Sequence, residues 1–371
     1  MPSLLVYRFT LQKPHTTSWR SVIKLYLSCF EKANLQSDSH VNHLYMNSLP
    51  QPSLEKEYQK WNRNQHILEQ IKERYASTQQ EEAQWKAALE NAIMYAVLRQ
   101  SSYNPDLMLE LSPQSIQHGL ECVSLDSHAD QSESLHQLIQ NIAHDMLDHE
   151  NGAITAHRDD RRFTVGQFQL ERNSYIDKAF DFLASQKGAE EATRLLLTAA
   201  IRYASIYAET RHIGPPQSVY DDFYDWGIRN EGFASPFNAR LLGKEEAQFY
   251  SLFPDTDQVF GSGGSFFRLS EPANPGHWSL DPPFLPETMQ KVDQRIGEWR
   301  KRFPDTSILY IIPESHQPEI KPDETVTLKS GKHHYEGLSG IKKPLPVNVC
   351  IHRYGDLSGF SAQRIQEGYE K

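Results

Sequence analysis

The residues best suited to chemistry on a planar amine stand together in Leu280-Asp-Pro-Pro-Phe284. Proline fixes φ and has no N–H, so the carbonyls beside Pro282 and Pro283 are free to face a ligand. The Asp281 carboxylate and the Pro282 carbonyl can each accept a hydrogen bond from an amine, while Phe284 covers the ring that carries it. The tetrapeptide alone is a moderate signal, because Asp-Pro-Pro also begins ordinary turns.

Two longer stretches precede this motif, and one short stretch follows it. They are Asn230-Glu-Gly-Phe-Ala-Ser-Pro-Phe-Asn238, Phe253-Pro-Asp-Thr-Asp-Gln-Val-Phe-Gly-Ser-Gly-Gly-Ser-Phe266 and Tyr310-Ile-Ile-Pro-Glu314. The glycines after Phe260 allow a backbone to approach a ligand closely, although a plain glycine turn is the alternative interpretation. A phosphate-binding P-loop is not predicted, because no Gly-Lys-Ser/Thr follows.

In this order, the stretches resemble the phosphorylated-CTD-interacting factor family, the cap-specific adenosine N6-methyltransferases of eukaryotic messenger RNA. Asp281–Phe284 also resembles the (Asp/Asn)-Pro-Pro-aromatic motif of methyltransferases that use S-adenosyl-L-methionine on exocyclic amines of bases. The resemblance covers the chain from about Leu196 onward, and the helical part before it only loosely. It implies S-adenosyl-L-methionine as cofactor and RNA, capped or uncapped, or another single-stranded nucleic acid as partner.

The resemblance also implies three groups of site residues. The catalytic group is Asp281, Pro282, Pro283 and Phe284. The cofactor group is Glu231, Phe233, Ser235, Pro236 and Asn238, with Gly261 and Ser262 as further candidates. The substrate-side group is Glu314, Ser315 and His333.

The chain departs from the family pattern at three places. Asp281 stands where the family usually has Asn, and Asp is the commoner residue in methyltransferases of DNA adenine. Ser315-His316 stands where the family has Trp-Arg, thought to line the cap side of its pocket. The WW module at the front of the animal proteins is missing, so binding to phosphorylated polymerase tails is not expected.

The first part of the sequence predicts a mainly helical domain over residues 1–195. Apolar residues spaced three and four apart predict helices from Ser18, from Ser53, over 80–99 and over 134–148. Residues 174–186 and 189–209 predict two more helices, Leu4–Thr10 a strand and Ala153–Gln169 a hairpin. The polar stretch 104–134 predicts a loop or a region of short elements.

The remaining part, residues 196–371, predicts an α/β fold with a Rossmann-like class I methyltransferase sheet. Strands are predicted at 229–234, 278–281, 307–312 and 346–354, and helices at 220–226, 245–250 and 286–302. His333–Gly340 predicts a polar, mobile segment. The usual glycine-rich turn after the first strand is absent, and Ser235–Asn238 stands there instead. Ligands of such sheets bind at the carboxyl ends of the strands.

Composition narrows the class of protein. The chain has 371 residues and a formal net charge of −10, which disfavours a protein that coats nucleic acid but permits one that grips a few nucleotides. Basic residues cluster at 158–162 and 291–302. No apolar run is long enough for a membrane span and no signal peptide is evident, so a soluble, intracellular protein without a membrane partner is expected. No protein partner is indicated.

A metal site is not expected from the sequence. Cys29, Cys122 and Cys350 are too widely separated to form a metal quartet or a disulfide framework. His144 and Asp148 lie one helical turn apart, but no paired His with an intervening Glu supports a metal there.

The sequence therefore favours an N6-adenosine methyltransferase acting on RNA, with the cap-adjacent adenosine of mRNA as a candidate target. Two alternatives stay open: a DNA N6-adenine methyltransferase, and a catalytically idle nucleic-acid-binding protein on the same fold.

Overall fold

The structure, a computed structural model, describes residues 49, 52–76, 78–100, 103–123, 125, 129–145, 154–207, 212–272, 276–337 and 341–370. The strand predicted over Leu4–Thr10 and the helix predicted from Ser18 lie outside the described residues.

The described chain begins with four helices: α1 (Leu54–Tyr75), α2 (Gln79–Val97), α3 (Pro113–Cys122) and α4 (Ala129–Asp145). The Ser53 hydroxyl caps α1 by accepting the Lys56 N–H, and Thr78 with Glu81 forms a capping box on α2. The helices predicted from Ser53 and over 80–99 are confirmed. The loop or short-element region predicted over 104–134 contains the ten-residue helix α3, which Ser112 caps and whose first residue is proline, and it also contains the start of α4.

A small antiparallel sheet and two helices follow: β1 (Ala156–Arg158), β2 (Arg162–Val165), β3 (Phe168–Glu171), α5 (Ser174–Lys187) and α6 (Ala189–Ala204). The predicted hairpin is confirmed and contains one strand more than expected. The turn between β2 and β3 needs Gly166, whose φ is 53°. The Tyr58 hydroxyl of α1 accepts the neighbouring Gln167 N–H at 2.9 Å, so this sheet is held against the first helix.

The rest of the chain alternates strands and helices: α7 (Gln217–Asp225), β4 (Ile228–Glu231), β5 (Gln248–Phe249), α8 (Pro254–Asp257), β6 (His277–Leu280), α9 (Pro286–Arg302), β7 (Ile308–Pro313), β8 (Glu324–Leu328), β9 (His334–Glu336), β10 (Lys342–Pro344), β11 (Val349–Tyr354) and α10 (Ala362–Glu370). Six of these strands form one sheet in the order β5-β4-β6-β7-β11-β8. The first four strands are parallel, and β11 is antiparallel to both of its neighbours. The expected α/β fold is confirmed as a mixed sheet with helices.

Two predictions in this part are wrong. The helix predicted over 245–250 contains β5, because Asn230 and Glu231 of β4 pair with Gln248 and Phe249. The segment predicted as polar and mobile at 333–340 contains β9, in which His334 and Tyr335 are buried. Strand β9 pairs antiparallel with β10 and forms a hairpin outside the main sheet.

Both faces of the sheet are covered, as the alternation along β7 shows. Leu309 and Ile311 pack in one cluster with the apolar side chains of α7 and α10. Ile308, Tyr310 and Ile312 pack in the other cluster with those of α9. A strand buried on both faces reads as a continuous apolar run, and the strand predicted over 307–312 is confirmed.

The helices and the sheet share a core. The largest apolar cluster extends from Leu54 of α1 to Phe249 of β5 and Phe260. The domain boundary predicted at residue 195 falls inside α6, and the division into domains stays a prediction.

A buried ion network crosses the same boundary. Arg202 of α6, with only 1% of its side chain exposed, lies 2.5 Å (Nε–Oε2) from Glu57 of α1 and 3.0 Å (Nη1–Oδ1) from Asp255 of α8. The Tyr103 hydroxyl donates to the same Asp255 carboxylate. Burial alone would raise the pKa of Glu57, but the Arg202 hydrogen bonds and charge hold that pKa below its usual value. The network therefore fixes the segment after β5 against the helices.

Across the described ranges, the structure contains no helix that is both long and apolar enough to span a membrane.

Candidate active site

A cavity of about 700 Å³ opens where β4 and β6 end. In the sheet, β4 has β5 on one side and β6 on the other, so the chain order changes direction at β4. The residues that follow each strand diverge at such a point and leave a crevice. Glu231 and Asp281, which end β4 and follow β6, both line this cavity.

All four residues of the predicted catalytic motif lie on the cavity wall: Asp281, Pro282, Pro283 and Phe284. Pro282 is buried, and the other three are half-buried. The Pro283 carbonyl accepts the Leu285 N–H at 2.7 Å in a tight turn, and α9 begins at the next residue. The motif is therefore held between the end of a buried strand and the start of a long helix.

The predicted cofactor residues after β4 form a compact turn beside the motif. Glu231, Phe233, Ser235 and Asn238 line the cavity, whereas Pro236 is not among the lining residues. The Asn238 side-chain oxygen accepts the Ser235 N–H at 2.6 Å and the Ser235 hydroxyl at 3.0 Å. The His212 Nδ1 lies 2.8 Å from the same hydroxyl. These bonds fix the turn where a glycine-rich loop would otherwise be expected.

Gly232 permits the close approach of the two strand ends. A Cβ atom at this position would lie 2.4 Å from the Leu280 side chain. The Gly232 N–H donates to the Ser279 carbonyl at 2.9 Å. Glycine suits this position because a side chain here would require the buried Leu280 side chain, next to Asp281 in the sequence, to shift.

Gly261 and Ser262 lie behind the cavity wall. The Ser262 hydroxyl lies 2.7 Å from that of Ser251, which does line the cavity. Gly261 has a φ of 88°, a left-handed conformation that glycine adopts without strain. The structure places both residues as supports of the loop after β5, and their predicted cofactor role stays a prediction.

The three predicted substrate-side residues do not line the cavity. Glu314 and Ser315 are exposed after β7, where the Glu314 carboxylate accepts the Asn348 amide at 2.6 Å. His333 is buried, and its Nδ1 lies 2.8 Å from the Lys329 carbonyl. His316, in the position where the resembled family has Arg, lies 2.7 Å from Asp293 through its Nε2. The substrate roles of these residues stay predictions.

Several lining residues carry no motif and were missed by sequence reasoning. From the helical part, Met94 of α2 and the following Leu98 and Tyr103 line the cavity. The apolar spacing that predicts this helix gives no sign that one end of it faces a cavity. Tyr335 of β9 also lines the cavity, and its hydroxyl donates to Asp281 Oδ1 at 3.4 Å. No local pattern marks this contact, which joins residues far apart in sequence.

Two carboxyl groups on the cavity wall, those of Glu231 and Asp281, have raised pKa values. Burial raises the pKa of Asp281 to about 8, and the nearby Glu231 carboxyl adds to the rise. Burial raises the pKa of Glu231 to about 7, although the Leu241 N–H, which this carboxyl accepts at 3.1 Å, opposes the rise. The Arg240 charge opposes both rises but does not cancel them, so a further cation bound nearby would favour the ionised form of both carboxyl groups.

The raised pKa of Asp281 predicts a pH-dependent stability. An unfolded Asp releases its proton near pH 4, whereas native Asp281 holds its proton up to about pH 8. Between these two pH values the native protein binds more protons than the unfolded chain, so the free energy of unfolding falls as pH rises. The buried His212 and His352, whose pKa values burial lowers to about 4, act in the opposite direction only below about pH 6.5.

We therefore expect the wild-type protein to lose stability between about pH 6.5 and 8.5, and Asp281→Asn to lose less over that range. Urea unfolding at several pH values measures both slopes. Equal slopes in the two proteins would contradict the assigned proton on Asp281.

Within the described part of the chain, no three His, Cys, Asp or Glu side chains are grouped to hold a metal ion. Asp148, one of the two residues weighed as a metal pair, lies outside the described residues, and His144 lies near the end of α4.

Comparison with known proteins gives a match to a family model and a similarity to a curated relative. Residues 182–338 match the family model described as the phosphorylated CTD interacting factor 1 WW domain, and this range includes Asp281–Phe284. A relative from Homo sapiens, named mRNA (2'-O-methyladenosine-N(6)-)-methyltransferase, is 34% identical to this chain over 97 residues. That alignment covers 25% of this chain and 12% of the relative, so the chain spans only a small part of the relative's length.

Proposed function

We propose, from the confirmed match of residues 182–338 to the phosphorylated-CTD-interacting factor family, that this protein is an S-adenosylmethionine-dependent N6-adenosine methyltransferase acting on RNA. The observation that carries the proposal is the cavity wall on which Asp281-Pro-Pro-Phe284 faces Glu231. Both groups lie inside the range that the family model matches.

The sheet supports a Rossmann-like class I architecture. Four parallel strands are followed by β11, which is antiparallel between β7 and β8. The cavity lies where the strand order changes direction at β4, the place where ligands bind in open α/β sheets.

The residues of the cavity fit the cofactor. Glu231 is 4% exposed, and its carboxyl faces a cavity in which a positive charge would favour its ionised form. Glu231, Phe233, Ser235 and Asn238 would hold the methionine end of S-adenosyl-L-methionine, which supplies an electrophilic methyl group on a sulfonium.

The catalytic motif would activate and align the adenine amine. The amine is a poor nucleophile because its lone pair is delocalised into the ring. Hydrogen bonds from its two hydrogens to Asp281 and to the Pro282 carbonyl favour a tetrahedral nitrogen and stabilise the positive charge that develops there. Phe284 stacks on the base and sets the in-line approach of the nitrogen. The amine nitrogen would gain one methyl group as the bond between that group and the sulfonium sulfur breaks, which leaves a neutral thioether. The nitrogen would then lose one proton to water, so no strong base is required.

RNA is the preferred substrate because the human relative is named for mRNA methylation. The target adenine must be unpaired or terminal, since a stacked and paired base cannot reach the motif. The cap-adjacent adenosine is the first candidate, although Ser315 and His316 replace the residues that the family has at that side. Two alternative functions stay open. The first is DNA N6-adenine methylation, which the Asp at position 281 favours, and the second is a catalytically idle nucleic-acid-binding protein.

Transfer from labelled S-adenosylmethionine tests the proposal in four parallel reactions. The acceptors are capped RNA starting with adenosine, the same RNA uncapped, single-stranded DNA and double-stranded DNA. We expect label in RNA, and label restricted to the capped form would identify the cap-adjacent adenosine as the target. Label in DNA alone would overturn the RNA assignment. Calorimetric binding of the cofactor without label in any acceptor would favour the idle binding protein.

A further inference from the structure

Tyr335 touches the proposed catalytic acid from outside the main sheet. Its side chain is 3% exposed and lines the cavity, and its hydroxyl donates to Asp281 Oδ1 at 3.4 Å. This distance is longer than the usual range of about 2.5–3.0 Å for an O–H···O bond, and catalytic hydrogen bonds are often long in the absence of ligand. Among the described residues, Tyr335 is the one that donates a hydrogen bond to the Asp281 side chain.

The hairpin of β9 and β10 holds Tyr335 in place through its neighbour Glu336. The Glu336 N–H donates to the Gly214 carbonyl at 2.9 Å, and the Gly214 N–H donates to the Glu336 carbonyl at 3.1 Å. The Tyr175 hydroxyl of α5 donates to the Glu336 carboxylate, and Arg240 donates to the Glu336 carbonyl at 3.3 Å. The backbone beside Tyr335 is thus fixed from the helical part and from the loop before α7.

The ring of Tyr335 is fixed as well. It packs against the ring of Tyr369 in α10, with the two centroids 6.0 Å apart. Since both rings are buried, the ring of Tyr335 has little room to turn its hydroxyl away from Asp281.

We propose that Tyr335 is a positioning residue that holds Asp281 Oδ1 and leaves Oδ2 to accept the substrate amine. The catalytic part of this proposal rests on the proposed function, whereas the contact itself does not. A carboxyl group that rotates freely would present either oxygen at varying angles, and a donor fixed on one oxygen removes that freedom. The same donor also favours the ionised form of Asp281, which is the better acceptor.

Tyr335→Phe removes the hydroxyl and keeps the ring, so its effect on Asp281 can be measured directly. We expect the titration of the Asp281 carboxyl, followed by ¹³C NMR with labelled aspartate, to move upward by about half a pH unit or more. The signal is assigned by its loss in Asp281→Asn. The matched control is Tyr354→Phe, which removes a buried hydroxyl that bonds the Ile320 carbonyl and has no contact with Asp281. An unchanged Asp281 titration in Tyr335→Phe would overturn the proposal.

Activity gives a second readout that a purely structural role would not produce. We expect Tyr335→Phe to reduce methyl transfer more at about pH 7 than at about pH 9. The variant raises the pKa of Asp281, so less of this carboxyl group is ionised at pH 7. In the Asp281→Asn background, the same substitution should give a loss that does not vary with pH. A loss that is equal at both pH values in the wild-type background would contradict the positioning role. A shifted Asp281 titration without methyl transfer to any acceptor would refute the proposed function and leave the contact established.

Discussion

Asp281→Ala is expected to lower kcat for methyl transfer by at least about 100-fold. The substitution removes the side-chain acceptor that the proposed function assigns to the adenine amine, while the Pro282 carbonyl and Phe284 remain at the cavity wall. A group that stabilises developing charge acts mainly in the transition state, so the loss should appear in kcat rather than in KM. Single-turnover transfer from labelled cofactor to RNA measures it.

Asp281→Asn is the matched control for this loss. The amide retains an acceptor oxygen of the same size, and Asn is the residue usual in the resembled family, so most of the activity should survive. Calorimetric binding of the cofactor should be retained in both variants, which separates lost chemistry from lost folding. Full turnover in Asp281→Ala would show that Asp281 does not act on the amine.

Arg202→Ala is expected to lower the free energy of unfolding by about 3–5 kcal/mol. The guanidinium pairs with Glu57 and Asp255, and both of these carboxylates have only 2% of their side chains exposed. Removal of the cation takes away the buried opposite charge of both carboxylates and leaves Glu57 with Lys60 and Asp255 with the Tyr103 hydroxyl. This loss costs far more than an ion pair contributes at a surface. Urea unfolding at neutral pH measures the change.

Arg194→Ala on the same helix is the control for Arg202→Ala. Arg194 lies 2.7 Å (Nη2–Oε1) from Glu191, and more than a third of each side chain is exposed. Its removal should cost less than about 1 kcal/mol. Similar losses in the two variants would mean that the buried network contributes no more than an exposed pair.

Local sequence signals were sufficient to predict the elements whose structure depends on their own residues, such as α9 and β7. Helix α9 has the predicted bounds because Pro286 suits the first position of a helix and cations fill its last turn. Strand β7 is buried at every residue and reads as one apolar run. The rigidity of Asp281-Pro-Pro-Phe284 also follows from proline chemistry, so a cavity position for this motif could be anticipated.

Elements that depend on distant partners were not predictable in the same way. Gln248 and Phe249 follow a helix-favouring Glu-Glu-Ala sequence, and only their pairing with β4 makes them a strand. Tyr335 reaches Asp281 across 54 residues, and Met94 reaches the cavity from a helix assigned to another domain. No periodicity or motif encodes these contacts, because they arise only when the chain segments pack together.

The apolar cluster that runs from Leu54 to Phe260 also determines how the molecule responds to ligands. The cluster joins the helices to the sheet at Phe249 of β5, and the Arg202 network joins α1 and α6 to α8, so we expect the helices to unfold together with this edge of the sheet. A ligand that binds only the native cavity shifts the folding equilibrium of everything coupled to it. Cofactor saturation should therefore protect amides of α1 and α6 from hydrogen exchange, although neither helix is part of the sheet that carries Asp281.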